Sequence, residues 1–308
     1  MITTVRGVMS PDELGFCLPH EHVLIDLWRN STARWDTDGV LTDKSRQIKE
    51  LRYYLESGGR SIVDLSLPAI GQDPGGLAQI SAELGIPIIM GCGWYRQPYY
   101  GPEIDTTPTD ELAAQLINTI VKGVSDSGIR PGIIGEIGSH KHYVTAQEER
   151  VFRAAGLAGA ETGLAVTTHS VGSEVGLQHL KLLLASGMSP DRIVIGHADS
   201  YLSLPYLLAV LDAGAYIEFD NIGYRLPRVA CLEEDLVAVI LELLSRGWAE
   251  RILLSQDVCW KGHLRAYGGA GYAYLPGTFA GVLASAGVSD GDWRTMTEAN
   301  PRRVLDVR

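Results

Sequence analysis

The sequence predicts an α/β chain folded as a single (β/α)8 TIM barrel, on three observations. Eight short apolar runs recur along the 308 residues, amphipathic stretches lie between them, and no linker or shift in composition divides the chain. The runs cover residues 18–26, 61–67, 86–94, 132–138, 164–170, 192–199, 215–220 and 251–257. Continuous runs of Ile, Val and Leu suit strands buried on both faces, as in a parallel sheet. Eight such repeats match a barrel of ~250 residues plus insertions. One domain, 1–308, is therefore expected.

The helical segments follow from their patterning. Thr145 and Glu148 form a capping box that opens a helix to Glu161, with Gly163 as its stop. Residues 173–186, 202–212 and 232–246 show the same helical spacing. The stretch 266–289 has no charged residue, but Gly268, Gly269, Gly271, Pro276 and Gly277 break it. It reads as a Gly-rich loop leading into a helix rather than a membrane span. A doubly wound open sheet would call for a Gly-rich phosphate loop after an early strand. Neither GxGxxG nor GxxxxGK[ST] occurs in that setting.

Composition bounds the function. A formal charge of −11 lacks the basic face that phosphate-backbone binders need, so no nucleic-acid partner is expected. No apolar segment of signal-peptide or membrane-helix type is present, so no membrane association is expected. Cys17, Cys92, Cys231 and Cys259 form no CxxC pair and read as thiols of a reducing compartment, with the cytoplasm as the expected location.

The chemistry gathers at strand ends. His20 and His22 lie two apart on the first strand, so both imidazoles point to one face and can reach one metal ion. An HxH pair alone equally suits ordinary polar contacts. His169 ends the fifth run, His197 the sixth and Asp257 the eighth. Each would cost free energy at the end of an apolar strand without a partner. In a barrel these ends converge on the C-terminal face, where active sites lie. Glu136, between Gly135 and Gly138 on the fourth strand, adds a carboxylate at the equivalent level. Four imidazoles and two carboxylates exceed what one tetrahedral ion takes, so two divalent ions sharing a carboxylate would use them all.

These residues, with Thr4-Val-Arg-Gly7, Gly91-Cys-Gly-Trp-Tyr95, Ser255-Gln-Asp257 and Asn300-Pro-Arg-Arg-Val-Leu305, carry a resemblance over nearly the whole chain. The sequence resembles the phosphotriesterase family of the amidohydrolase superfamily, including its lactonase branch. The resemblance implies a binuclear centre at the mouth of the barrel. It implies that His20, His22 and Asp257 hold the more buried ion, and His169 and His197 the more exposed one. Many members bridge the ions with a carboxylated lysine at the end of strand four. This chain has Glu136 there, a variation found in some members, and Lys141 in the following loop. Zinc is the expected metal, with manganese, cobalt and iron also suited to imidazole and carboxylate ligands. The resemblance also implies a homodimer.

Such a site suggests hydrolysis of a small-molecule lactone or carboxylic ester, with Asp257 relaying the proton. A phosphoric triester hydrolase is the alternative, and a noncatalytic small-molecule binding protein on the same barrel the remoter one. Tyr95 is expected to donate a hydrogen bond to the reacting oxygen, or simply to line the mouth. Substrate contacts are sought in Arg225 and in Trp260 and Lys261, with His263 and Arg265 completing the last loop. Arg225 could instead pair with Glu233 or Glu234. His140 and His142 form a second HxH, in a polar loop without the strand-end setting, and are assigned to solvent or the pocket rim. Cys17 and Cys259 are assigned to packing.

Overall fold

A computed structural model describes residues 1–29, 37–223 and 231–307. Eight parallel strands form the frame: β1 Cys17–Glu21, β2 Ser61–Asp64, β3 Ile88–Met90, β4 Ile134–Gly138, β5 Val166–His169, β6 Ile193–Gly196, β7 Tyr216–Phe219 and β8 Ile252–Leu254. The main helices between and after them are α1 Lys44–Glu56, α2 Pro74–Leu84, α3 Thr109–Lys122, α4 Ala146–Thr162, α5 Val175–Ala185, α6 Leu204–Asp212, α7 Glu233–Ser245 and α8 Ala280–Ala286. Each of the eight apolar runs overlaps one barrel strand, and the first also holds a short strand, Ile25–Asp26, paired with Val40–Leu41 outside the barrel sheet. The strands are shorter than the runs because the run ends bend out of the sheet to carry the polar residues of the mouth.

Strands β1 to β3 pair in sequence, and so do β4 to β8, all in parallel. Backbone hydrogen bonds bridge both seams. Gly132 N–H donates to Met90 O (2.9 Å) and Gly135 N–H to Cys92 O (2.8 Å), while Asp257 N–H donates to His20 O (3.1 Å). A hairpin of Ile2–Thr4 with Gly7–Met9 precedes the barrel.

Side chains sort by the two-residue period of a strand. One buried cluster holds Cys17, Val63, Ile89, Ala165, Val194, Tyr216 and Leu253, which fill the inside of the barrel. Their chain neighbours Leu18, Ile62, Ile88, Val166, Ile195, Ile217 and Leu254 belong to the other cluster, packed outward with helix residues such as Phe152 and Leu183. Both faces of the sheet are thus covered, which is why the strands read as continuous apolar runs.

Helix α4 begins as its sequence indicates. The Thr145 hydroxyl accepts from Glu148 N–H (3.2 Å) and the Glu148 carboxylate accepts from Thr145 N–H (2.9 Å). Gly163 closes it in the left-handed conformation, at φ +76°. Helices α5, α6 and α7 fall within the three other predicted segments. Among the described residues, no helix is long and apolar enough to cross a membrane.

Glu21, the middle residue of His20-Glu21-His22, ties the first strand to the last. Its buried carboxylate accepts from Ser255 Oγ–H, Gln256 N–H and Val258 N–H, each at 2.8 Å. Burial pushes its carboxyl up to about 8, against the pull of these donors. Replacing it with alanine leaves the buried N–H groups of Gln256 and Val258 unsatisfied, while the Ser255 hydroxyl can still donate to His20 O (2.9 Å). Glu21→Ala is expected to lower the unfolding free energy by about 3 kcal/mol, read as a drop in the urea midpoint at constant slope; an unchanged midpoint would refute this brace.

Candidate metal centre

The C-terminal ends of the strands bring six sequence-predicted residues into one cluster. His20 and His22 come from β1 and its exit, Glu136 from β4, His169 from the end of β5, His197 from the turn after β6, and Asp257 from the turn after β8. His197 (φ +54°) and Asp257 (φ +47°) hold left-handed backbone conformations, rare for residues with side chains. Such conformations persist where the surrounding structure over-determines them, often at functional sites.

Glu136 stands at the centre. Its Oε1 lies 3.4 Å from His22 Nε2. Its Oε2 lies 2.9 Å from His169 Nδ1, 3.4 Å from His197 Nε2 and 3.5 Å from His20 Nε2. Asp257 Oδ1 is 3.2 Å from His22 Nε2 and 3.8 Å from His20 Nε2. One carboxylate therefore faces imidazoles on both sides, and a second closes one side.

The glycines beside Glu136 permit this approach. A Cβ on Gly135, at φ +124°, would lie 2.4 Å from Thr167 O, and one on Gly138 would lie 2.6 Å from His169 Cβ. Neither position has room for a side chain.

Three imidazoles are anchored from behind. Asp220, at the end of β7, accepts from His197 Nδ1–H (2.7 Å) and His197 N–H (2.9 Å), and its other contact is His20 Nδ1 at 2.9 Å. His22 Nδ1 meets Ser66 Oγ at 3.0 Å. With Nδ1 engaged, each of these rings presents Nε2 to the cluster. Asp64 accepts from Val23, Leu24 and Ser66 N–H and so holds the exit of β1. Asn221 links Asp220 to the buried Asp199, whose carboxyl is pushed up to about 7 by burial and by the Asp220 charge.

Electrostatics favour a cation here. Burial alone would raise Glu136 and Asp257, yet neighbouring imidazoles hold both carboxyls below their ordinary range. Burial alone would lower His20, His22 and His197. Asp220 and Glu136 draw His20 upward, Asp257 and Glu136 raise His22 to about 9, and Asp220 raises His197. Only His169 stays low, at about 4, because its burial outweighs the pull of Glu136. The cluster thus attracts positive charge, which protons or metal cations can supply. Ligand atoms of His20, Glu136 and His197, and likewise of His20, His22 and Asp257, lie close enough together to share an ion. The donor set, imidazole and carboxylate, fits divalent cations.

A cavity of about 370 Å³ opens over the cluster. Ile25, Leu27, Trp28, Ile70 and Trp260 make an apolar wall, and Arg96, His140, Lys141 and His142 stand on another. Tyr95 is buried, with its hydroxyl 3.3 Å from His169 Nδ1. Trp260, His140 and His142 all line this cavity. Lys261 does not line the cavity. It begins a short turn whose backbone N–H groups bond Asp38, and this turns it along the loop instead. Arg265 stacks over Tyr53 (4.4 Å), and the half-buried His263 accepts from Cys259 N–H (3.3 Å). Arg225 lies outside the described residues. Cys17 packs in the barrel interior, where burial pushes its thiol up to about 12.

The chain matches the phosphotriesterase family over residues 1–305. It belongs to that family. The phosphotriesterase homology protein of Escherichia coli is 33% identical over 297 residues, covering 96% of this chain and all of that one. Its crystal structure, with phosphate in the active site, superposes with a TM-score of 0.91 at 32% identity, over the same shares of both chains. A lactonase from Listeria monocytogenes superposes with a TM-score of 0.88 at 26% identity, covering 100% of this chain and 99% of that one. An N-acetyltaurine hydrolase of Dictyostelium discoideum is 25% identical over 362 residues, covering 99% of this chain and 98% of that one.

Asp220 went unnoticed in the sequence because it sits on a strand carrying no imidazole. The available signal was the alternation Tyr216, Glu218, Asp220, which places two acids on the inner face of β7. Asp220→Asn is expected to weaken zinc binding about 10- to 100-fold, measured by equilibrium dialysis. Wild-type affinity in that variant would remove Asp220 from the anchoring role.

Proposed function

We propose that the chain is a metal-dependent hydrolase that opens a lactone or cleaves a carboxylic ester. The observation that carries this is Glu136, whose Oε1 faces His22 and whose Oε2 faces His169, His197 and His20. In this reading His20, His22 and Asp257 hold one divalent cation, His169 and His197 the second, and Glu136 both. Zinc suits the donor set, and manganese, cobalt or iron would also be accepted. Two such cations, when bound, lower the pKa of water and polarise the bond to be broken.

The remaining work belongs to the chain. Asp257 stays ionised because neighbouring imidazoles stabilise its carboxylate, so it can take a proton from the attacking water. It then returns that proton to the leaving oxygen. The Tyr95 phenol, kept protonated by burial, can donate a hydrogen bond to an oxyanion forming beside His169. The apolar wall of Ile25, Leu27, Trp28 and Trp260 holds the carbon skeleton and limits water access. The full-length likeness to a lactonase supports acyl chemistry. A phosphoric triester is the second reading, supported by family membership, since its transition state also places negative charge on a nonbridging oxygen.

The test is a panel of neutral lactones, phosphorylated sugar lactones, acyl-homoserine lactones, aryl esters and triesters, assayed with zinc-, manganese- and cobalt-loaded protein. Turnover of a lactone or ester above any triester is expected. A metal-loaded protein inert to every lactone and ester would defeat the proposal.

Two variants separate binding from proton transfer. His169→Asn is expected to lower metal content and turnover together. Asp257→Asn is expected to cost about 10²- to 10⁴-fold in kcat, measured at saturating metal.

A further inference from the structure

The part of the cavity lining supplied by the loops after β3 and β4 carries charge that nothing in the catalytic reading uses. Arg96 follows Tyr95 in the loop after β3, and Lys141 lies in the loop after β4. The Arg96 guanidinium is half-buried and stacks on two rings, 4.9 Å from the centroid of Tyr95 and 5.4 Å from that of Tyr99. Its Nε is buried without a hydrogen-bond partner, and no carboxylate lies within ion-pair distance of it among the described residues. Lys141 Nζ donates to Tyr143 Oη (3.2 Å) and likewise has no described acid beside it. The carboxylates that line the cavity, Glu136 and Asp257, are both turned to the imidazole cluster.

This wall is built rather than incidental. The buried Glu148 carboxylate accepts from His140 N–H (2.8 Å) and from Gln97 N–H (3.4 Å), so one side chain pins both loops. It spends its charge on backbone donors and leaves the Arg96 guanidinium unpaired. Ring stacking fixes the guanidinium plane and leaves its edge donors to a planar or tetrahedral oxyanion. In a chain of net charge −11, a cationic wall beside the reacting cluster selects for a negatively charged ligand.

We propose that Arg96, supported by Lys141, is a recognition subsite for a compact anionic group, carboxylate or sulfonate, carried by the substrate a short spacer from the bond to be hydrolysed. Tyr95 sets that spacer, because the guanidinium packs on its ring while its hydroxyl reaches His169. This inference rests on the hydrolase reading for its meaning, but the subsite can be tested apart from turnover.

Two measurements on the metal-loaded protein test it. The first compares kcat/KM for para-nitrophenyl sulfopropanoate, the para-nitrophenyl half-ester of adipic acid and the neutral para-nitrophenyl butanoate. The wild type is expected to prefer the anionic esters, and the relative rates of the first two rank sulfonate against carboxylate. Arg96→Gln is expected to reduce the anionic-to-neutral ratio by roughly 30-fold or more, with Arg96→Lys between it and the wild type. The second measures binding of propanesulfonate by calorimetry, with metal content assayed in each variant. Its dissociation constant is expected to rise by a similar factor in Arg96→Gln at unchanged metal content. An anionic-to-neutral ratio and a propanesulfonate affinity that are both insensitive to Arg96 would overturn the subsite. No turnover of any lactone or ester in either panel, with Arg96-dependent propanesulfonate binding intact, would instead defeat the hydrolase reading and leave the subsite standing.

Discussion

Buried charge at the mouth of an apolar barrel is the constraint on which the rest of this structure depends. Glu136, Asp257 and Asp220 are removed from water, and each needs positive charge or donors within reach. Asp220 meets the need by engaging two imidazoles at once, His197 and His20. The same contacts turn the free nitrogens of those rings toward Glu136. One buried carboxylate thereby sets the orientation of ligand groups from two strands. Without such anchoring, the imidazoles would retain rotational freedom and the cluster would lose its shape.

The barrel serves this cluster through a division of labour along each strand. Near the bottom, inward positions hold apolar side chains such as Val194, Tyr216 and Leu253. Higher up, the same inward face changes to Glu218, Thr167 and then to the ligand groups. The polar layer would be unstable if it stood alone, and the outer shell of helices keeps it dry. Buried carboxylates outside the cluster act as braces between loops. Glu21 ties β1 to the exit of β8, Asp64 fastens the exit of β1, and Glu148 joins the loops after β3 and β4. Each acts mainly through backbone N–H groups, so its charge is spent on position rather than on substrate.

The cavity inherits its character from these braces. Its reacting side pairs buried carboxylates with imidazoles, one wall is apolar, and the wall held by Glu148 is cationic. That arrangement suits a substrate with three distinct regions: a scissile acyl group, a carbon skeleton and an anionic end. The departure from a bridging lysine to Glu136 belongs to the same scheme. In the proposed reading a glutamate would supply the bridging carboxylate directly, and Lys141 is left in the next loop, on the cationic wall.

The sequence by itself determined the strands and the main residues of the cluster. Continuous apolar runs alternating with amphipathic stretches suit strands covered on both faces, and His20, His22, Glu136, His169, His197 and Asp257 all lie in or at the ends of these runs. Period-two geometry and the cost of burying an imidazole were enough for that. The anchoring contacts could not be read this way, because Asp220, Ser66 and Glu148 act on partners 8 to 200 residues distant in the chain. The last loop was misjudged for a related reason. Lys261 looked like a substrate contact by proximity to Asp257, but backbone bonds to Asp38 turn it along the loop. Only the tertiary structure decided which charges are spent on the fold and which face the cavity, since that depends on three-dimensional neighbours that no local pattern encodes.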